Sequence, residues 1–144
     1  MAEGDVTVFT SVKKAIINKE HDLDNDSIKV AICNNTVVPT ENTSTPTITT
    51  FTEVGSAGTY VAGGTVLTMV VTDEGGGVIK VDATNHPSWN SDPSNDTDAY
   101  WGIIYNDSHP SKAAIAFVDL GGPKDMTAGT LTIDWNTNGI FLIT

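Results

Sequence analysis

From residue 28 onward the chain alternates short, β-branched apolar runs with clusters of Gly, Asn, Asp and Pro, as in SIKVAICNN, GGTVLTMVVTDEGGGVIKVDATN, YWGIIYND, AAIAFVDL, GTLTIDW and GIFLIT. Runs this brief, each closed by residues that favour turns, favour short strands joined by tight connections over helices. About seven to nine strands are predicted, in a mainly β, antiparallel sandwich or partly closed barrel. Ile28, Val30 and Ile32 fall on one face of the first run and Lys29, Ala31 and Cys33 on the other. Asp73 to Gly77 supplies a hairpin turn between Thr65–Val71 and Val78–Val81, and GIFLIT is a final strand held in the sheet. A further, weak strand is expected over 48–54.

One segment breaks the pattern. In VFTSVKKAIIN, apolar residues at 8, 12, 15 and 16 have helical spacing, so a single short helix is expected there. The residues before it, 1–9, are polar enough to form a flexible arm, leaving 10–144 as one β-domain, which a chain of 144 residues can support. Between residues 37 and 50 a Thr-, Ser- and Asn-rich stretch containing Pro39 and Pro46 reads as a long surface loop.

The formal charge is −11, from 18 acidic against 7 basic residues. That leaves no basic stripe to displace counterions from a phosphate backbone, and no apolar run approaches the ~20 residues of a spanning helix, so neither nucleic acid nor membrane is expected as a partner. The opening MAEGDVTVF lacks a basic, then apolar, secretion signal, which points to synthesis in the cytosol. The five N-x-[ST] triplets, at Asn25, Asn34, Asn42, Asn95 and Asn106, follow from an Asn- and Thr-rich composition.

Reactive constellations are weak. Asp22, Asp24 and Asp26 begin like a calcium loop, yet Ser27 stands where the loop needs glycine and Cys33 where it needs a bidentate glutamate, so a structural turn is expected. His21, His86 and His109 lack a second His or Cys at metal-pair spacing, and no G-x-S-x-G elbow is present. Cys33, the single cysteine, sits in an alternating strand as a small hydrophobe. Asp92, Asp96 and Asp98, near Trp89 and Trp101, are solvated loop acids unless burial raises a carboxyl pKa. Trp89, Trp101 and Trp135 read as core or interface rings. GSAGTYVAGG, from Gly55 to Gly64, lacks a phosphate-binding pattern and is expected to bend the chain so that Tyr60 packs on its neighbours. No enzymatic activity and no cofactor are expected.

Taken in order, HDLDNDSIKVAI, a Thr/Pro-rich loop, FTEV..AGTYVAGGTVLT, WGIIYND, AIAFVDLGG and GTLTIDWNTNGIFLI resemble a family of small β-rich virion proteins of tailed bacteriophages, over residues 8 to 144. The resemblance implies a structural protein, either a head decoration (cement) protein or a tail accessory protein. For a cement protein it implies the capsid exterior as location, the major capsid protein as partner, and self-association, with a trimer as one arrangement. The alternative is a tail or receptor-binding accessory protein whose Trp- and Asp-bearing loops touch host glycans. The interface expected from these readings comprises Val6, Thr7, Val8 and Phe9, adding as a strand to a neighbouring subunit or else folding back on their own domain. Pro39, Pro46, Trp89 and Trp101, in or beside the loops 37–50 and 88–98, complete it.

Overall fold

The computed structural model describes all of residues 1–144. Ten strands and one helix are arranged as antiparallel sheets packed together, with no closed barrel. The strands are β1 (Val6–Val8), β2 (Ile28–Cys33), β3 (Thr65–Val66), β4 (Met69–Gly75), β5 (Val78–Ala83), β6 (Ser88–Trp89), β7 (Ala99–Asn106), β8 (Ala114–Lys124), β9 (Leu131–Thr132) and β10 (Phe141–Ile143), and the helix α1 is Thr10–Ile17. A five-stranded sheet runs β1-β8-β7-β2-β3, a three-stranded sheet β10-β5-β4, and β6 pairs with β9.

The five-stranded sheet is built where the apolar runs are densest. In β2 every residue but Lys29 is buried, so both faces are covered, and the strand lies between β7 and β3. Burial of Ile28, Val30 and Ile32 on one face and Ala31 and Cys33 on the other is what a central strand requires. Thirty buried residues form one cluster, from Phe9 to Ile140.

Residues 1–9 fold back on their own domain, the second of the two arrangements expected for them. Val6, Thr7 and Val8 pair antiparallel with Val118, Phe117 and Ala116 of the same chain. Phe9 is fully buried, with its ring 5.1 Å from Phe117 and 6.0 Å from Phe51. Upstream, Gly4 N–H donates to Asp119 O and Glu3 pairs with Lys124 at 2.7 Å. The alternation V-T-V-F completes a sheet edge of its own domain and seats a large ring in the core, which outweighs the polarity of the preceding residues.

The glycine-rich stretch bends as expected. Gly64 has φ +74° and lies so close to β2 that a Cβ there would stand 1.8 Å from the Val30 carbonyl oxygen, so only glycine fits. Gly58 similarly leaves room for the buried Asn95 side chain. The bend brings Tyr60 inward, where its hydroxyl accepts from Ile32 N–H at 3.0 Å and donates to the Glu53 carboxylate. Burial and that carboxylate push the Tyr60 phenol far above its ordinary range.

Two expected strands differ. The run 65–71 is divided between β3 and β4 because the Asn85 side chain inserts at the break: its Oδ1 accepts from Thr68 N–H and its Nδ2 donates to Val66 O. The expected strand 48–54 is a 3-10 turn at Ile48–Thr50, closed by reciprocal Thr47 and Thr50 hydroxyl bonds, and only Glu53 bridges to Cys33. The hairpin turn comes where expected, with Gly75, Gly76 and Gly77 all at positive φ.

Candidate docking surface around the helix

Of the seven lysines, four are neutralised inside the molecule. Lys29 and Lys112 share Asp107 at 3.1 and 2.8 Å, Lys80 meets Glu74 at 3.1 Å, and Lys124 meets Glu3 at 2.7 Å. The two lysines hold the Asp107 carboxyl below its usual range, the hydrogen bond from Lys112 counting most. Lys13, Lys14 and Lys19 have no carboxylate within 4.0 Å, and all three lie on α1 or just past its end. In a chain of charge −11 the lysines without an ion-pair partner thus fall on one short helix and the two residues after it, with Glu20, Asp22 and Asp24 bordering the same recesses.

That helix is also ringed by recesses. It buries Val12 and Ala15 but leaves Ile16 half-buried and Ile17 81% exposed. A cavity of about 500 Å³ opens between α1, β1 and β10, lined by Val8, Ile16, Ile17, Phe141, Leu142 and Ile143, with Lys13 at its lip. A second, of about 590 Å³, continues past Ile16 and Ile143 over Val71, Ile79 and Val81, with Lys19, Asp22 and Asp24 also in its lining. A third, of about 300 Å³, has Lys14, Glu20, His21 and His109 in its lining. The apolar walls exist because β10-β5-β4 is only partly covered: Val70, Val71, Leu142 and Ile143 are each 37 to 43% exposed.

Behind His21 and His109 of the third cavity stands Asn106, which is fully buried and uses all its hydrogen-bonding capacity. Its Nδ2 donates to Asp26 Oδ2 at 2.6 Å and to His21 Nδ1 at 3.0 Å, and its Oδ1 accepts from the N–H groups of Ser108 and His109 at 2.9 and 3.1 Å. His21 Nδ1 is therefore an acceptor, and its proton is on Nε2. Burial, and secondarily the neighbouring His109, hold His21 below the usual histidine range, partly offset by Glu20 and Asp26. Asp26 is held low chiefly by the Asp22 backbone N–H, so the acidic run 22–26 is a turn preceding β2, as expected. His109 Nδ1 contacts Ser111 N and Oγ at 3.2 and 3.0 Å, closing its own loop.

The interface residues predicted from sequence are scattered and mostly inside. Val6, Thr7 and Val8 belong to β1 of their own sheet, Phe9 is in the core, and Pro39, Pro46 and Trp89 are buried. Trp101 is half-buried, edge-on to Phe117 at 5.9 Å, with its indole N–H donating to Asn35. Among them only β1, at the edge of its sheet, keeps an open strand side. The loop 37–50 is pinned over the helix start, where Thr10 N–H donates to Glu41 O and Ala114 N–H to Pro46 O. Asp96 accepts from Gly55 N–H at 2.6 Å and Asp92 from Ser94 N–H at 2.8 Å, both closing local structure. Burial pushes the Cys33 thiol up to about 12. No three His, Cys, Asp or Glu side chains are placed to hold a metal ion, and no helix is long and apolar enough to cross a membrane.

Sequence reasoning missed Ile17, Leu142, Ile143 and the three lysines. A signal existed: three of the seven lysines fall within 13–19, and Ile17 is off the apolar stripe of its own helix. Comparison with protein-family models, with curated proteins and with solved structures finds no match to this chain.

Proposed function

We propose that the chain is a virion structural protein of a tailed bacteriophage, a decoration protein that binds the outer surface of the head through the major capsid protein and stabilises contacts between capsomers. The sequence resemblance supplies the class. The observation that carries a binding role is the surface around α1: partly covered apolar walls, two sheet edges and uncompensated lysines on a strongly acidic molecule. Net charge keeps free copies apart, while a localised apolar patch bordered by charges of both signs favours attachment to a complementary surface. Repetition over a shell turns a modest contact into substantial stabilisation, since anything that binds only the assembled lattice stabilises it by mass action. Self-association around symmetry axes, as a trimer in one arrangement, belongs to the same reading.

The test is copy number and location. Quantitative mass spectrometry of purified virions, and of tailless heads, should find the chain at a stoichiometry comparable to lattice positions and retained on heads. Co-purification with tails in few copies would overturn the proposal.

A further inference from the structure

The cavity lined by both His21 and His109 differs from the two apolar recesses, because hydrogen bonds outside it dictate which ring nitrogen carries the proton. Asn106 Oδ1 accepts from two backbone N–H groups and its Nδ2 faces the Asp26 carboxylate, so the amide has one orientation and His21 Nδ1 must accept. In the second ring, His109 Nδ1 lies 3.2 Å from Ser111 N–H, which can only donate. Both neutral imidazoles therefore carry their proton on Nε2. Neither Nε2 has a partner in the chain, yet no buried side-chain nitrogen is left without one, so each Nε2–H reaches accessible space. His21 is nevertheless only 8% exposed, and the two ring centroids stand 5.6 Å apart. An enclosed donor without an acceptor is a group that a ligand would satisfy. Lys14 lines the same cavity and has no carboxylate within 4.0 Å.

We infer that this cavity binds a carboxylate monoanion, with one oxygen held by His21 Nε2–H, the other by His109 Nε2–H, and the Lys14 ammonium supplying the opposite charge. A metal ion is the wrong occupant, since it needs a nitrogen lone pair where both rings carry hydrogen. Charge limits the anion as well. Lys14 offsets one negative charge, Glu20 in the same lining opposes a second, and the chain carries −11, so a carboxylate is favoured over a phosphate dianion. Glu20 is exposed and accepts from Asn18 Nδ2, while Asp26, behind the rings, has its Oδ2 taken by Asn106 and the Asp22 N–H. A neutral amide would satisfy a donor but forgo the ammonium. The site is independent of the decoration reading, and its carboxylate comes either from a free small acid or from an acidic side chain of a bound protein.

NMR on the full chain tests this at about pH 8, where both histidines are neutral. Long-range proton–nitrogen correlations should show the Nε2–H tautomer in each ring. Acetate, added at constant ionic strength, should give saturable shifts of both rings and of the Lys14 and Ser111 amides, with acetamide inactive and inorganic phosphate weaker. Titration with N-acetyl-glutamate N-methylamide separates the sources: binding assigns the site to a partner's side chain, and its exclusion while acetate binds assigns it to a free acid. Lys14→Met, at an exposed position, and His109→Asn, whose Oδ1 can still accept from Ser111 N–H, should keep the wild-type melting temperature and each bind acetate about tenfold less tightly. An Nδ1–H tautomer in either ring, no saturable response to acetate, an equal response to acetamide, or tighter binding of phosphate would overturn the inference. So would unaltered affinity in both variants, or shifts confined to residues 22–24 and 79–81, which would place His21 Nε2 in the neighbouring recess.

Discussion

The five-stranded and three-stranded sheets draw on the same residue types and end differently. β7 and β8 carry Ile103, Ile104, Ile115, Phe117 and Val118, each at most 3% exposed, whereas Val71 of β4 and Leu142 of β10 are 39 and 42% exposed. The difference lies in what lies across each sheet. β2, β7 and β8 are enclosed by α1, the 55–64 bend and the segment around Leu131–Trp135, while β10-β5-β4 has apolar residues with nothing over part of them. Apolar content therefore identifies strands but not which of them form framework and which form contact surface. That distinction is set by the neighbours each strand acquires.

The comparison breaks most sharply at the N-terminus. Deleting 1–9 would remove β1 and Phe9 from the framework, and loss of a buried Phe alone costs about 3–5 kcal/mol, so the truncated chain should fail to give a cooperative urea transition. If it instead folds with an unchanged midpoint, residues 1–9 are an arm after all. Next in size is Asn106→Ala, which strands the Asp26 carboxylate, His21 Nδ1 and two backbone N–H groups; a loss of about 2–3 kcal/mol in urea unfolding is expected.

A pH series probes the same cluster. Because His21 has a folded pKa below its unfolded value, the unfolded chain binds the proton first. Stability should be full above the unfolded value and fall as pH drops from about 6.5 toward the lowered folded pKa. Asp26 and Asp107, both held low, add their losses only below the ordinary carboxylate range, about pH 4. Melting temperatures should show the first drop in wild type and a flatter profile in His21→Gln. Smallest of all, Leu142→Ser with Ile143→Thr on the open sheet should change stability by about 0.5 kcal/mol or less, while a loss comparable to Phe9→Ala would mean that β10 is framework too.

Much of the framework was legible in the sequence because it is written locally. β2, β7, β8, the glycine hairpin, the final strand and α1 each follow from alternation, helical spacing or turn residues within a few positions. What was illegible depends on distant partners. VTVF pairs with residues more than a hundred positions away, and Asn85 splits an apparently continuous strand from across a turn. Trp89 looked available beside a polar loop, yet it packs on Tyr60 at 5.8 Å. The solitude of Lys13, Lys14 and Lys19 is likewise a matter of where eighteen acids come to rest.

The claim that a closed framework carries one unfinished face is tested most directly by residue-resolved amide hydrogen exchange on the free protein. The account predicts that amides of β2, β7 and β8 exchange only through global unfolding, while those of β10 and β4 exchange through local opening orders of magnitude sooner. Equal protection of the two sheets would contradict it.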